Sequence, residues 1–111
     1  MLDLDFVCLE YDEATAEILV EYKHHDAPPL NLNHASYRAL RDLGDRAHLP
    51  VFTVRYVADF SLWRVTAVNG LAEKWVPQTA VMGEEDWVAL LYRVRGRTMP
   101  KDLLARMDVE V

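Results

Sequence analysis

Residues 2–11, Leu-Asp-Leu-Asp-Phe-Val-Cys-Leu-Glu-Tyr, are short of helix formers and rich in strand formers, and residues 12–15 read as the turn that follows. Residues 17–23, Glu-Ile-Leu-Val-Glu-Tyr-Lys, open on aliphatic positions and close on alternating charge, the pattern of a strand buried at one end and exposed at the other. The two runs predict a hairpin. Residues 24–33 contain Pro28, Pro29, Asn31 and Asn33, which predicts a loop with Asn33 as the N-cap of the next element. Over residues 34–48 the apolar positions Ala35, Ala39, Leu40, Leu43 and Ala47 recur at helical spacing, with Arg38, Arg41, Asp42, Asp45 and Arg46 mostly opposite. That is an amphipathic helix packed on a sheet by its alanine and leucine stripe.

Pro50 ends this helix, and residues 51–57 are dense enough in β-branched and aromatic side chains to predict a central strand. Residues 62–68 alternate and stop at Asn69-Gly70, a turn signal, so a fourth strand pairs with the third. Residues 86–93 follow Met82-Gly83-Glu84-Glu85, and the acidic start and basic finish suit the dipole of a second long helix. Residues 100–107 open with Pro100 at a permitted first-turn position and predict a short terminal helix. The predicted order is ββαββαα in one mixed α/β (α+β) domain over residues 1–111, without internal repeats.

Composition agrees with a globular chain. Of 111 residues, 51% are hydrophobic and 27% charged, and glycine and proline are sparse, which excludes disordered and low-complexity classes. The lone Cys8 lies in the apolar run Phe6-Val7-Cys8-Leu9 and has no partner for an internal disulfide, as expected in a reducing compartment. No stretch approaches the roughly 18 consecutive apolar residues of a membrane span, and the first residues lack the pattern of a signal peptide, so a cytoplasmic protein without a membrane partner is expected.

Charge complicates a nucleic-acid partner, since the net value of −6 opposes broad phosphate binding. Its distribution is uneven. The first 26 residues carry Asp3, Asp5, Glu10, Asp12, Glu13, Glu17, Glu21 and Asp26 against Lys23, whereas residues 93–101 carry Arg93, Arg95, Arg97 and Lys101. An acidic site beside a basic rim is compatible with this distribution.

Side chains alternate across a strand, so Asp3 and Asp5 share one face of the first strand, and Glu21 and Lys23 share one face of the second. An odd-length connection would set odd positions opposite odd ones and gather Asp3, Asp5, Glu21 and Lys23 in one patch. Adjacent carboxylates repel unless a cation lies between them, and Mg2+ (or Mn2+) accepts one or two carboxylates while keeping water and phosphate oxygens. Such an ion activates water at a phosphodiester, and a nearby lysine would orient the water or stabilise the developing charge.

Asp-Phe-Val-Cys-Leu at 5–9, followed by Ile-Leu-Val-Glu-Tyr-Lys at 18–23, resembles the active-site hairpin of the PD-(D/E)xK nuclease superfamily, which includes Holliday-junction resolvases and many restriction enzymes. The resemblance covers roughly the first 70 residues. It implies a restriction-endonuclease-like mixed β-sheet flanked by helices, with catalytic Asp5, Glu21 and Lys23. Asp5 and Glu21 would be the metal ligands. Asp3 is the alternative to Asp5, which is preferred because it directly precedes the apolar run. The implied activity is metal-dependent endonuclease cleavage of DNA, including branched or structured DNA. A homodimer is also implied, because no covering helix precedes the hairpin. A noncatalytic module keeping this core to bind a protein or nucleic acid is the alternative.

The remaining candidates are accessory. Adjacent His24 and His25 on a strand would point to opposite faces, so with His34 and Asp26 they predict surface histidines rather than a metal cluster; His24 near the cleft would aid proton transfer or touch phosphate. Arg55, in the strand beside the site, would need a partner such as a carboxylate. Trp63, Trp75 and Trp87 would serve the core or an interface ahead of base stacking. No glycine-rich phosphate loop, nucleophile elbow or dinucleotide fingerprint is present.

Overall fold

Two extended runs that meet at a tight turn must pair antiparallel, and their register decides which side chains share a face. In the computed structural model, which describes residues 7–12, 14–57, 59 and 61–98, strand β1 (Val7–Asp12) pairs antiparallel with β2 (Thr15–His24). The turn uses Ala14 in the left-handed region at φ 64°. Asp12 opposes Thr15 and Tyr11 opposes Ala16, but beyond an irregularity at Glu10/Tyr11 the partners become Glu10 with Ile18, Leu9 with Leu19 and Val7 with Glu21. Glu17 is therefore the extra residue of a β-bulge. The two-residue turn alone would set even against odd positions; the bulge restores the odd-to-odd register that brings Glu21 opposite Val7.

The chain leaves β2, forms helix α1 (Ala35–Ala47) and returns as β3 (Val51–Tyr56), which lies parallel to β2. Strand β4 (Trp63–Ala67) is antiparallel to β3. A short helix α2 (Gly70–Glu73), strand β5 (Thr79–Met82) and helix α3 (Glu84–Val94) complete the described chain. The result is a mixed α/β architecture with five strands in the order β1-β2-β3-β4-β5. Over the described residues the order is ββαββαβα, which corrects the expected ββαββα by inserting α2 and β5 before the second long helix. Helix α2 is one turn and β5 four residues after Pro77, both too short for a periodic pattern. The expected terminal helix at 100–107 and the start of the first strand at 2–6 lie outside the described residues.

Side-chain alternation divides the sheet into two unlike faces. One carries Ile18, Val20, Phe52, Val54, Val65 and Ala67, buried under Trp87, Leu90 and Leu91 of α3. The acidic first turn of α3, Glu84-Glu85-Asp86, and its terminal Arg93 match the expected dipole pattern. On the other face a smaller cluster joins Leu19, Val51 and Val68 to Leu40 of α1.

Helix α1 packs by a different stripe from the expected one. Leu40 and Gly44 are its buried residues, while Ala35, Ala39 and Ala47 are exposed and Leu43 is 50% exposed. Arg41, expected on the solvent side, turns in and donates from Nε to the Val68 carbonyl at 3.0 Å. The cause is Gly44. A Cβ there would collide with Val51 Cγ2 and lie 3.0 Å from Asn69 Nδ2 and 3.1 Å from the Leu49 carbonyl, so the missing side chain lets the helix backbone press onto β3. The N-cap is His34, whose Nδ1 accepts from Ser36 N at 3.2 Å, rather than Asn33, whose own N–H bonds Asn31 Oδ1.

Asn69 likewise differs from expectation. Instead of a simple turn residue, it forms the N-cap of α2 and is 2% exposed. Its Oδ1 accepts from Val51 N at 3.0 Å and Ala72 N at 3.1 Å, and its Nδ2 donates to the Leu49 carbonyl at 2.8 Å and Asp45 Oδ1 at 3.1 Å. One side chain joins the end of α1, the start of β3 and the end of β4. No helix among the described residues is long and apolar enough to cross a membrane.

Two substitutions test this packing by denaturant unfolding. Gly44→Ala destabilises the fold by roughly 1–3 kcal/mol through overpacking, even though alanine favours an unconstrained helix by about 1 kcal/mol. Asn69→Ala removes a cap and leaves the Val51 N–H without its partner, for a loss of about 2–4 kcal/mol.

Candidate active site

Beyond Leu19, the α1 face of the sheet changes from apolar to polar. Glu21 and Lys23 project on this face from β2, with Thr53 registered opposite Glu21 and Arg55 opposite Lys23. Leu40 and Gly44 cover the apolar half, and the first turn of α1 reaches the polar half through Tyr37. Glu21 is 5% exposed, a low value for a carboxylate. Thr53 Oγ1 donates to Glu21 Oε1 over a long 3.4 Å, and the Tyr37 hydroxyl faces the same carboxylate. Among the described residues no cation forms an ion pair with Glu21.

The 25–33 loop closes over this half. Arg55 fastens it, donating from Nη1 to the Ala27 carbonyl at 2.7 Å and from Nη2 to the Pro28 carbonyl. The space beneath is a cavity of about 200 Å³, lined by Glu21, Lys23, His34, Tyr37 and Arg55 among others. At about 30 Å³ per molecule, roughly seven waters would fill it.

The structure brings together Glu21, Lys23 and Arg55 from the sequence candidates. Asp3 and Asp5 lie outside the described residues; Asp5 precedes by two positions Val7, the strand partner of Glu21. Arg55 does have partners, but backbone carbonyls take the place of the expected carboxylate, and among the described residues no carboxylate forms an ion pair with it. His24 faces away from the cavity, edge-on to Tyr56 at 5.7 Å, on the side of the sheet opposite Glu21 and Lys23. The histidine in the cavity is His34, whose Nδ1 also lies 2.8 Å from Ser36 Oγ.

The expectation that His24 and His25 diverge is corrected as well. Strand β2 ends at His24, so strict alternation no longer applies; the two rings lie 4.1 Å apart and both reach Asp26, at 3.5 and 3.0 Å. All three residues are exposed. Of the tryptophans, Trp87 is core and donates to the Tyr22 hydroxyl at 3.2 Å, while Trp63 packs against that core and Trp75 is partly exposed.

Tyr37 and Thr53 were not singled out from the sequence. Tyr37 belongs to the Tyr37, Leu40, Arg41, Gly44 stripe, which the more apolar alanine stripe obscured, and Thr53 is an ordinary strand residue until register sets it beside Glu21. Burial, reinforced by a hydrogen bond to the negatively charged Glu21 carboxylate, pushes the Tyr37 hydroxyl from its usual 10.0 up to about 12. The folded state therefore favours neutral Tyr37. This stabilisation is complete below pH 10 and is lost as pH rises from 10 to 12. Unfolding measured across that window loses stability in the wild type, and Tyr37→Phe flattens the part of the slope that Tyr37 contributes.

No family model, curated protein or solved structure matches the chain.

Proposed function

We propose that the chain is a metal-dependent endonuclease of the PD-(D/E)xK kind, hydrolysing phosphodiester bonds of DNA, with Asp5 and Glu21 as metal ligands and Lys23 beside the reacting phosphate. One observation carries the reading: a buried carboxylate without an ion-pair partner among the described residues shares a small polar cavity with a lysine two positions along the same strand. A carboxylate withdrawn from water is costly unless it is paired or holds a cation. Two hydroxyls facing Glu21 supply only part of that compensation, one of them over 3.4 Å.

The donor set fits Mg2+ or Mn2+, which bind oxygen ligands, use few carboxylates and retain water, and the cavity has room for that water. When bound, such an ion lowers the pKa of water and offsets charge on a phosphodiester. The chain's own residues have separate tasks. Tyr37 and Thr53 hold the Glu21 carboxylate in one orientation. Lys23 supplies a proton donor and positive charge where negative charge develops on the phosphate. Arg55, bound to the loop carbonyls, keeps the 27–28 segment over the cavity and restricts bulk water.

The family fold is also part of this proposal. Supporting it are the hairpin bearing Glu21 and Lys23, followed by a helix and a strand parallel to β2. A noncatalytic module with the same core is the second reading, favoured by the hydroxyls that already engage Glu21.

Glu21→Gln and Asp5→Asn preserve side-chain size and are expected to lower Mg2+-dependent or Mn2+-dependent cleavage of linear and branched DNA by at least about 100-fold, while Lys23→Ala lowers kcat by a similar factor. Calorimetry on the same proteins shows metal binding lost in the two carboxylate variants and retained in Lys23→Ala. A wild type that neither binds these ions nor cleaves DNA would establish the noncatalytic reading instead.

A further inference from the structure

We propose that the open polar face of the sheet is a groove for the phosphate backbone of DNA, with Arg64 its outer contact, running from the Glu21 cavity across β3 and β4 to β5. This proposal rests on the nuclease reading and extends its site. A second cavity of about 410 Å³ is lined by Thr53, Arg55, Arg64, Thr66 and Thr79 together with Pro29 and Leu30 of the loop. Pro29 and Arg55 also line the Glu21 cavity, so the two spaces adjoin.

The charge arrangement indicates the occupant. Lys23 is registered opposite Arg55, and Arg55 opposite Arg64, forming a row of three cations across adjacent strands. Neighbouring strands lie about 4.8 Å apart, so the row spans about 10 Å. Like charges directly opposite each other on a sheet are destabilising. Among the described residues lining the two cavities, the one carboxylate is Glu21, against Lys23, Arg55 and Arg64. The ion pairs between described residues join His24 and His25 to Asp26, and Arg46 to Asp42; none involves this row. Arg55 spends its hydrogen bonds on neutral carbonyls and keeps its charge. Arg64 is exposed and has no hydrogen-bond or ion-pair partner among the described residues. In a chain of net charge −6, this local excess of positive charge is the feature suited to a polyanion.

The groove suits backbone rather than base recognition. Besides Arg55 and Arg64, the polar side chains that line the outer cavity among the described residues are the hydroxyls of Thr53, Thr66 and Thr79, and Thr66 and Thr79 are linked at 3.0 Å. Among the described residues no aromatic ring lines the outer cavity. Tyr56 and Trp63 pack together at 5.7 Å on the reverse side of the sheet, so the described residues of the outer cavity offer no ring for a base to stack on. A groove of this kind binds phosphates with little sequence preference and strong salt dependence.

The test uses the full chain and a fluorescein-labelled single-stranded oligodeoxynucleotide of mixed sequence, with binding followed by anisotropy in EDTA at several salt concentrations and cleavage followed separately in Mg2+ or Mn2+. Arg64→Gln is expected to weaken binding about tenfold at low salt and reduce the slope of log K against log salt by about 0.7, the share of one phosphate contact on a single strand. Arg64→Lys restores most of both. Lys74→Gln, on the exposed end of α2 and outside both cavities, is expected to change neither. Unchanged affinity and slope in Arg64→Gln, or an equal loss in Lys74→Gln, would overturn the groove even if the wild type cleaves DNA. Arg64-dependent binding by a wild type that cuts nothing would support the groove while removing the nuclease reading.

Discussion

The buried Asn69 side chain determines where the chain re-enters the sheet. Its carbonyl oxygen holds the first N–H of β3, and its amide holds the Leu49 carbonyl just before that strand. The Pro50 carbonyl then accepts from Leu19 N at 3.1 Å, beginning the parallel pairing of β3 with β2. A shift of β3 by one residue would exchange its faces and set Phe52 and Val54 among polar side chains. Everything at the candidate site follows from this register, including Thr53 beside Glu21 and Arg55 beside Lys23.

Gly44 is the second constraint, because it brings α1 directly onto Val51. The close approach concentrates the apolar contact of the helix on Leu40, leaving it unable to cover the rest of that sheet face. The face beyond Leu19, polar through Glu21, Lys23, Thr53 and Arg55, is left open and roofed in part by the 27–30 loop through Arg55. The reverse face, with Phe52 and Trp87 at 6.1 Å in an edge-on contact, carries the larger hydrophobic cluster. The larger apolar cluster and the polar candidate site thereby lie on the two sides of one sheet, and polar substitutions on the open side need not disturb the larger core.

The two proposals draw on complementary halves of that open side. Near β2, a buried carboxylate calls for positive charge; across β3 and β4, a row of cations calls for negative charge. A metal ion and a phosphodiester backbone would satisfy both, and the arrangement explains how an acidic chain would engage nucleic acid through a restricted surface. Recognition of this type would rest on charge and shape, so preference for a particular DNA structure would come from how the strand enters the groove.

Local pattern made much of the architecture legible. The alternation in residues 17–23, the β-branched density of 51–57 and the charge asymmetry of 84–93 each reflect strong local preferences and correspond to β2, β3 and α3. The same alternation put Glu21 and Lys23 on one face, since side-chain period is a property of the strand itself. By contrast, the bulge at Glu10/Tyr11, the inward stripe of α1, the cap formed by Asn69 and the short α2 and β5 depend on neighbours distant in sequence. Tyr37 and Thr53 join Glu21, and Arg64 joins Arg55, only through helix packing and strand register. The sequence by itself determined which residues could alternate, cap or break. Tertiary structure decided which of them met, because close packing at Gly44 and the four hydrogen bonds of Asn69 select one register among several that local propensity would allow.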